Sequence, residues 1–194
     1  MTAPRVTAIV LAGGRSSRFG RDKLAEPVAG RPLLEHAINA VRPFAAEILV
    51  VSSPGASPAV ASDVRVVHDP SPFEGPLMGL AVGLDRAQEA TVLVTAGDIP
   101  GLVPGVVELL LRSLDAPGSE VAVLAQGDWP APFPMAVRRD VARTAIARLV
   151  ESGERRLFPL IEALAGTVIE EPVWRALDPE GRSIRDVDTP ADLP

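Results

Sequence analysis

Residues 6–14 read Val-Thr-Ala-Ile-Val-Leu-Ala-Gly-Gly, a continuous apolar run that ends in two glycines. Continuous rather than alternating apolarity is typical of a strand that is covered on both faces, as in a parallel sheet with helices on either side. The glycines end the strand and let the backbone of the next loop approach a ligand closely. The stretch therefore predicts a buried strand of an α/β fold, followed by a binding loop.

Strands and helices alternate along the chain that follows. Short apolar runs at 48–51, 64–67, 91–95 and 121–124 predict further strands, and helical spacing of apolar residues predicts helices between them. The predicted helices run from Pro32 to Val41, over 78–84 after the Gly75-Pro76 breaker, and over 106–114. The sequence thus predicts a Rossmann-like three-layer αβα sandwich with a mostly parallel sheet, formed by one domain over residues 1–194.

The last third of the chain is less regular. Prolines at 130, 132 and 134 predict an extended loop, and 135–137 a short strand. The spacing of Val141, Ala145 and Leu149 predicts one helical face. A short helix is expected over 157–164 and an edge strand over 167–169.

Composition excludes several classes of function. The chain has 194 residues, 25 acidic and 19 basic, so its net charge of −6 argues against binding to nucleic acid. The absence of cysteine excludes disulfides, a thiol nucleophile and a zinc ribbon. No apolar run reaches the roughly 18 residues of a membrane span. We therefore expect a soluble cytoplasmic protein that binds neither nucleic acid nor a membrane.

The loop after the first strand concentrates positive charge. Residues 15–23 contain three arginines and Lys23, the sole lysine of the chain. A glycine-rich loop with clustered cations can cradle a polyphosphate. Neither G-x-x-x-x-G-K-[ST] nor G-x-G-x-x-G can be read here, so the loop is not a P-loop or a dinucleotide fingerprint. A lysine that survives among so many arginines is a candidate for a role that arginine cannot fill.

Acidic residues follow other predicted strands. Asp98 lies just after the strand at 91–95, and Asp69 just after that at 64–67. In open α/β sheets ligands bind beyond the carboxyl ends of the strands. Magnesium prefers one or two carboxylates together with substrate phosphates, which makes Asp98 a candidate ligand. Asp186 and Asp188, two residues apart in an extended segment, are expected to face the same side.

Taken in order, these motifs resemble the molybdenum cofactor guanylyltransferase family. The first is Leu-Ala-Gly-Gly, three residues, Arg, one residue, Gly, two residues and Lys, over 11–23. A Gly-Pro-Leu-Met-Gly-Leu segment at 75–80 matches the second motif, and Gly-Asp-Ile-Pro at 97–100 matches the family's Cys-Asp-x-Pro with Gly for Cys. Gly-Glu-Arg-Arg at 153–156 and the closing Asp-x-Asp-Thr-Pro complete a resemblance over nearly the whole chain.

The resemblance implies a nucleotide-diphospho-sugar transferase-like fold, Mg²⁺ as cofactor, and transfer of GMP from GTP to molybdopterin cofactor with release of pyrophosphate. It implies catalytic roles for Arg18, Lys23 and Asp98, with Asp98 on the metal. It further implies contact with other proteins of the molybdenum-cofactor pathway. The implied nucleotide-binding residues are Leu11, Ala12, Gly13, Gly14, Lys23, Asp69, Gly79 and Asp98. The implied acceptor-binding residues are Arg155, Arg156, Asp186 and Asp188, the last two also being candidate metal ligands.

Two positions differ from the family's usual pattern. Asp186 and Asp188 stand where the family often has asparagines, and Phe133 stands where it often has a histidine. Three alternatives stay open: a cytidylyltransferase on the same cofactor, a transferase with another phosphate acceptor, and a non-catalytic guanine-nucleotide-binding relative. A dinucleotide oxidoreductase is disfavoured because its glycine fingerprint is missing.

Overall fold

The computed structural model describes residues 5–13, 19, 22–70 and 75–192. Nine strands are found in these parts of the chain. In chain order they are β1 (Val6–Ala12), β2 (Pro27–Val28), β3 (Arg31–Pro32), β4 (Glu47–Ser52), β5 (Val64–His68), β6 (Thr91–Ala96), β7 (Val121–Gln126), β8 (Trp129–Arg138) and β9 (Gly166–Ile169).

Six α-helices lie between or after these strands in the described residues. They are α1 (Leu33–Val41), α2 (Pro76–Arg86), α3 (Pro104–Leu114), α4 (Arg139–Glu151), α5 (Phe158–Ala163) and α6 (Glu171–Arg175). A proline stands in the first turn of α2, α3, α5 and α6, where its missing N–H has no partner in the helix to lose.

Seven strands form one sheet in the order β5-β4-β1-β6-β8-β7-β9. β1 pairs in parallel with β4 and β6 on its two sides, and β4 pairs in parallel with β5. β8 is antiparallel to both β6 and β7, and β9 is parallel to β7. β2 and β3 form a separate two-stranded hairpin. The predicted α/β fold with a mostly parallel sheet is confirmed.

Helices cover both faces of this sheet. On β1, Ile9 packs with α2, α4 and α5, whereas Ala8 and Val10 pack with α1 and α3. α3 and α6 cover the β7–β8–β9 end, where Trp174 is fully buried. Because each face of β1 meets a layer of helices, both sets of alternate residues are apolar apart from Thr7, whose buried hydroxyl donates to Oε2 of Glu47 at 2.9 Å.

The expected loop over 129–134 is wrong, since these residues belong to the ten-residue strand β8. Strand β8 pairs with β7 at Trp129 and Pro130, and the register between the two strands then shifts between Val123 and Ala125. The prolines therefore fall beside an irregularity in the ladder, where a missing N–H group breaks no regular pair. The expected strand at 135–137 is the end of β8 that also pairs with β6.

The buried face of α4 also differs from the prediction. Ala142 and Ile146 are buried, whereas Val141 is 37% exposed. Ala145 and Leu149 are only partly buried, at the margin of the same core. The buried face of α4 is thus centred one residue later in the chain than the spacing of Val141, Ala145 and Leu149 predicts. The small side chain of Ala142 lets α4 pack closely against the core. In the described residues no helix has both the length and the apolar character needed to cross a bilayer.

Candidate active site

The end of β6 brings Asp98 to the carboxyl edge of the sheet. The N–H of Gly97 donates to the carbonyl of Leu11 at 2.9 Å, so the turn after β6 stays tied to the end of β1. A Cβ at Gly97 would lie 3.0 Å from Cδ1 of Leu34, closer than side chains normally pack. Glycine at position 97 therefore lets this turn pack closely against α1, and Asp98 is the next residue.

Lys23 reaches Asp98 from a short 3-10 turn over 23–25, which is capped by the carboxylate of Asp22. Its Nζ lies 2.7 Å from Oδ2 of Asp98 and 3.5 Å from Oδ1 of Asp188. The same ammonium donates to the carbonyl of Val187 at 3.0 Å. The lysine side chain is only 12% exposed. The sole lysine of the chain is thus held among three oxygens at the carboxyl edge of the sheet.

The surroundings keep this lysine charged. Burial alone would lower the pKa of Lys23. The hydrogen bond from Lys23 to Asp98 and the negative charges of Asp98 and Asp188 outweigh this effect and raise the pKa above its ordinary value. Lys23 is therefore a cation at neutral pH, positioned where an anionic ligand would meet it.

The segment 186–188 is anchored to the same site through its backbone. The N–H of Val187 donates to the carbonyl of Asp98 at 2.9 Å. The side chain of Val187 is 2% exposed and packs with Phe19, Val28 and Leu33. Anchoring of Val187 in this small core places the flanking carboxylates of Asp186 and Asp188 beside Asp98.

These carboxylates influence one another. Partial burial and the negative charges of Asp188 and Asp98 raise the pKa of Asp186, with Lys23 acting in the opposite direction. Asp98 and Asp188 already share one cation, the ammonium of Lys23. In the described residues no three acidic, histidine or cysteine side chains are grouped tightly enough to hold a metal unaided. The donor set fits a magnesium ion that also takes ligands from substrate phosphates.

A pocket of about 190 Å³ lies at the end of β1 on the side of β4, whereas Asp98 lies on the side of β6. Its lining residues are Ala12, Asp22, Leu24, Ala25, Pro32, Leu34, Ser52, Ala56, Ser57, Pro58 and Ala59. Asp69 is close to this pocket, because its N–H donates to the carbonyl of Ser52 at 2.9 Å. His68 lies there too, with Nδ1 3.1 Å from the hydroxyl of Ser52. Gly13 is nearby as well, since a Cβ there would lie 3.8 Å from Oγ of Ser53.

The 75–80 motif meets the 153–156 motif at the start of α2. Gly75 has φ +97°, and a Cβ there would lie 2.6 Å from the carbonyl oxygen of Arg155. The N–H of Leu77 donates to that same oxygen at 3.1 Å. One turn later Gly79 faces β1, where a Cβ would lie 3.7 Å from Cδ2 of Leu11. Two motifs that are far apart in sequence are therefore in direct contact.

The two arginines of the 153–156 motif differ in their surroundings. Nη1 of Arg155 donates to the carbonyl of Glu154 at 2.8 Å and so turns back onto its own loop. Arg156 pairs with Glu154 at 2.9 Å, but its side chain is 79% exposed. Hydrogen bonds from Arg156 and from the backbone lower the pKa of Glu154 to about 2. Of the two guanidinium groups, that of Arg156 is therefore the more accessible to a ligand.

Most of the residues singled out in the sequence meet around this edge. Lys23, Asp98, Asp186 and Asp188 form one group, and Leu11 connects it through Gly79 to the start of α2. Gly14 and Arg18 lie outside the described residues. Sequence reasoning missed the carbonyl of Val187, which shows no signal beyond its place between two aspartates.

Comparison with known proteins adds to this geometry. A family model described as "MobA-like NTP transferase domain" matches residues 8–167. The chain is 35% identical over 196 aligned residues to the "Probable molybdenum cofactor guanylyltransferase" of Chloroflexus aggregans, covering 97% of this chain and 91% of that protein.

Solved structures share the fold at lower identity. Molybdopterin-guanine dinucleotide biosynthesis protein A from Archaeoglobus fulgidus superposes with a TM-score of 0.78 at 22% identity, covering 96% of this chain and 94% of that one. The 2-C-methyl-D-erythritol 4-phosphate cytidylyltransferase of Thermus thermophilus gives 0.72 at 22% identity, covering 95% and 94%. The predicted nucleotide-diphospho-sugar transferase-like fold is confirmed.

Proposed function

Because the chain belongs to the MobA-like NTP transferase family, and so is a nucleotidyltransferase, we propose that it transfers GMP from GTP to molybdopterin cofactor in a magnesium-dependent reaction. The family membership supports nucleotidyl transfer. The choice of GTP and molybdopterin rests on the guanylyltransferase relatives and on the motifs at 11–14 and 75–80. We further propose that residues 1–194 act as one catalytic domain.

The observation that carries the proposal is the ammonium of Lys23 between two carboxylates at the carboxyl edge of the sheet. Asp98 lies at 2.7 Å and Asp188 at 3.5 Å from Nζ. A nucleotidyl transfer needs positioned cations around the phosphates more than it needs covalent chemistry. A buried cation and a carboxylate that can hold a second cation are the two parts that such a reaction requires.

We assign the nucleotide to the edge around the end of β1. The backbone of Leu11, Ala12, Gly13 and Gly14 would contact the nucleotide, with Asp69 and Gly79 lining the same site. The base would enter the pocket beside Ala12 and Ser52. Arg18 and Lys23 would then contact the phosphates.

Asp98 would be the main magnesium ligand, with Asp186 and Asp188 as candidates for further contacts. When bound, the ion would neutralise phosphate charge and hold the triphosphate for in-line attack. Asp98 would take up this role as Lys23 moves from its carboxylate to the phosphates. The ammonium of Lys23 would then offset the charge that develops on the α-phosphate and on pyrophosphate.

The reaction needs no general base in this chain. An oxygen of the terminal phosphate of molybdopterin, already anionic, forms the new bond to the α-phosphorus of GTP. The bond from that phosphorus to the bridging oxygen breaks, and pyrophosphate leaves with the electron pair. We place the acceptor against Arg155, Arg156, Asp186 and Asp188. We also propose that the reaction takes place in the cytoplasm and that the product is handed to other proteins of the cofactor pathway.

The experiment is to measure pyrophosphate release with molybdopterin cofactor and Mg²⁺, comparing GTP with CTP. We expect release with GTP, and loss of release in Asp98→Ala and Lys23→Ala with the fold intact. Faster release with CTP would instead identify a cytidylyltransferase. Tight GTP binding without release on any acceptor would indicate a non-catalytic nucleotide-binding protein.

A further inference from the structure

The β7–β8 hairpin extends past its neighbour at the edge that carries Asp98. Val123 of β7 and Val94 of β6 both pair with Met135 of β8, so Ala125 is level with the last residue of β6. The hairpin tip at 126–129 therefore lies beyond the carboxyl end of β6. Strands two places apart in a sheet lie only about 10 Å apart. The tip is thus a neighbour of the candidate active site.

Trp129 stands at this tip with 67% of its surface exposed. The indole meets the ring of Phe158 with a centroid distance of 5.8 Å and an interplanar angle of 66°. An edge-to-face contact of this kind is favourable and fixes the orientation of a ring. The indole is therefore held in place while most of its surface stays open to a ligand.

Phe158 connects this aromatic pair to the proposed acceptor arginines. It begins α5 two residues after Arg156, which limits the backbone distance between them to about 7 Å. The side chain of Arg156 is 79% exposed at the same place. A flat apolar surface and an exposed guanidinium are therefore both tied to Phe158, the indole through the ring contact and Arg156 through two residues of backbone. This combination suits a ligand with an aromatic ring system and an anionic group.

We propose that Trp129, positioned by Phe158, stacks on the pterin ring of the acceptor and contributes to its selection. This inference rests on the proposed function, since it takes the acceptor to be a pterin that carries a phosphate. Aromatic side chains bind planar heterocycles through their faces, and such stacking tolerates a range of ring substituents. Trp129 is thus an acceptor-binding residue that recognises a planar ring, separate from the nucleotide pocket at the β1 end.

Intrinsic fluorescence tests the stacking independently of catalysis. The chain has two tryptophans, and Trp174 is fully buried with its indole N–H donating to the carbonyl of Ala125. We expect pterin-6-carboxylic acid to quench the wild-type emission. In Trp129→Ala, which lacks the stacking ring and whose remaining emission comes from Trp174, quenching should need about tenfold more pterin.

Kinetics provide the second test. We expect Trp129→Ala to raise the KM for molybdopterin about tenfold and to leave the KM for GTP unchanged, whereas Trp129→Phe stays close to the wild type. Val173→Ala is the matched control, because Val173 is 52% exposed on α6 at the opposite face. It should change neither KM.

The outcomes separate the two proposals. If the wild type releases no pyrophosphate from GTP with molybdopterin, the proposed function fails, and the fluorescence titration alone decides on the stacking. Half-maximal quenching at the same pterin concentration in wild type and Trp129→Ala, or absence of quenching in the wild type, would overturn the role of Trp129. An unchanged KM for molybdopterin in Trp129→Ala would overturn it as well.

Discussion

At the scale of single residues, Lys23 shows why one lysine is retained in a chain that otherwise uses arginine. Its ammonium is close to two carboxylates and one carbonyl at the same time. An ammonium is a compact charge with three donors, whereas a guanidinium is a planar fork that needs a wider space. The geometry of the site therefore favours lysine over arginine, although both carry the same charge.

We predict that Lys23→Arg lowers the rate of pyrophosphate release at least about a hundredfold. The planar guanidinium cannot contact the two carboxylates and the carbonyl of Val187 at the same time. Arg31→Lys is the control, since Arg31 is an exposed residue in a surface ion pair with Glu35. Steady-state rates with GTP provide the measurement, with thermal unfolding as a check on folding. A Lys23→Arg variant with the wild-type rate would show that charge alone suffices.

Asp186 provides a pH-dependent prediction. Partial burial and the nearby carboxylates of Asp188 and Asp98 raise the pKa of Asp186 in the folded chain. The protonated carboxyl is thus the form that the fold favours, and stability is lost as the pH rises from the ordinary pKa of about 3.9 through the raised folded value. At neutral pH the charge on Asp186 opposes folding.

We therefore expect Asp186→Asn to be more stable than the wild type at pH 7, with the difference shrinking as the pH falls towards 3.9. Urea unfolding in the presence of EDTA measures this without interference from divalent cations. Asp128→Asn, at an exposed turn residue, is the control for the loss of one negative charge. Equal stability of Asp186→Asn and wild type at pH 7 would contradict the prediction.

At the scale of elements, the start of α2 depends on a close approach between two motifs. Gly75 combines a positive φ with a contact that leaves no room for a Cβ next to Arg155. Gly79 lies one turn later in a helical conformation, where a Cβ would make an ordinary contact with Leu11. The two glycines of one motif therefore serve different purposes.

We predict that Gly75→Ala lowers the free energy of unfolding by about 2 kcal/mol, because alanine is strained at φ +97° and ψ +166° and its Cβ displaces the Arg155 loop. Gly79→Ala should instead raise it by about 0.5–1 kcal/mol, the usual gain from replacing a helical glycine. Denaturant unfolding of the two variants provides the comparison. Similar effects of the two substitutions would mean that the contact with Arg155 is not what requires Gly75.

The elements differ in how well the sequence predicts them. β1, β4 and β6 are predictable because both of their faces are covered, which leaves a continuous apolar run. β8 is not predictable from its own sequence, because prolines normally argue against a strand. The register shift that accommodates these prolines depends on the pairing with β7. In the site, Lys23 and Asp98 are predictable from their places after strands. The carbonyl of Val187 is not, because any residue has a carbonyl and only the path of the whole chain brings this one to Lys23.

At the scale of the whole molecule, the chain is acidic, and yet the substrate that we propose for it is a polyanion. The net charge is −6, so long-range electrostatics do not attract a triphosphate. Binding must therefore depend on local cations, of which Lys23 is one and a bound divalent ion would be another. Nucleotide binding should then depend strongly on the metal.

We predict that GTP with Mg²⁺ raises Tm by about 5–10 °C at a hundred times its Kd. A ligand at this concentration raises the free energy of unfolding by about 2.7 kcal/mol. Each kcal/mol of added stability shifts Tm by about 2–4 °C in a chain of this size. CTP should give a smaller rise at the same concentration, and EDTA should remove most of the rise with GTP. A shift that survives EDTA would argue against metal-dependent binding, and a larger shift with CTP would argue against a guanine site.

The prolines of β8 also bear on aggregation. A hairpin that extends past its neighbouring strand exposes backbone groups that could pair with a strand of another molecule. At 130, 132 and 134 the chain has no N–H group to donate, so this stretch offers a foreign strand three donors fewer than a regular strand would. The protein can therefore expose an aromatic residue at the hairpin tip without presenting a regular edge on which copies could polymerise.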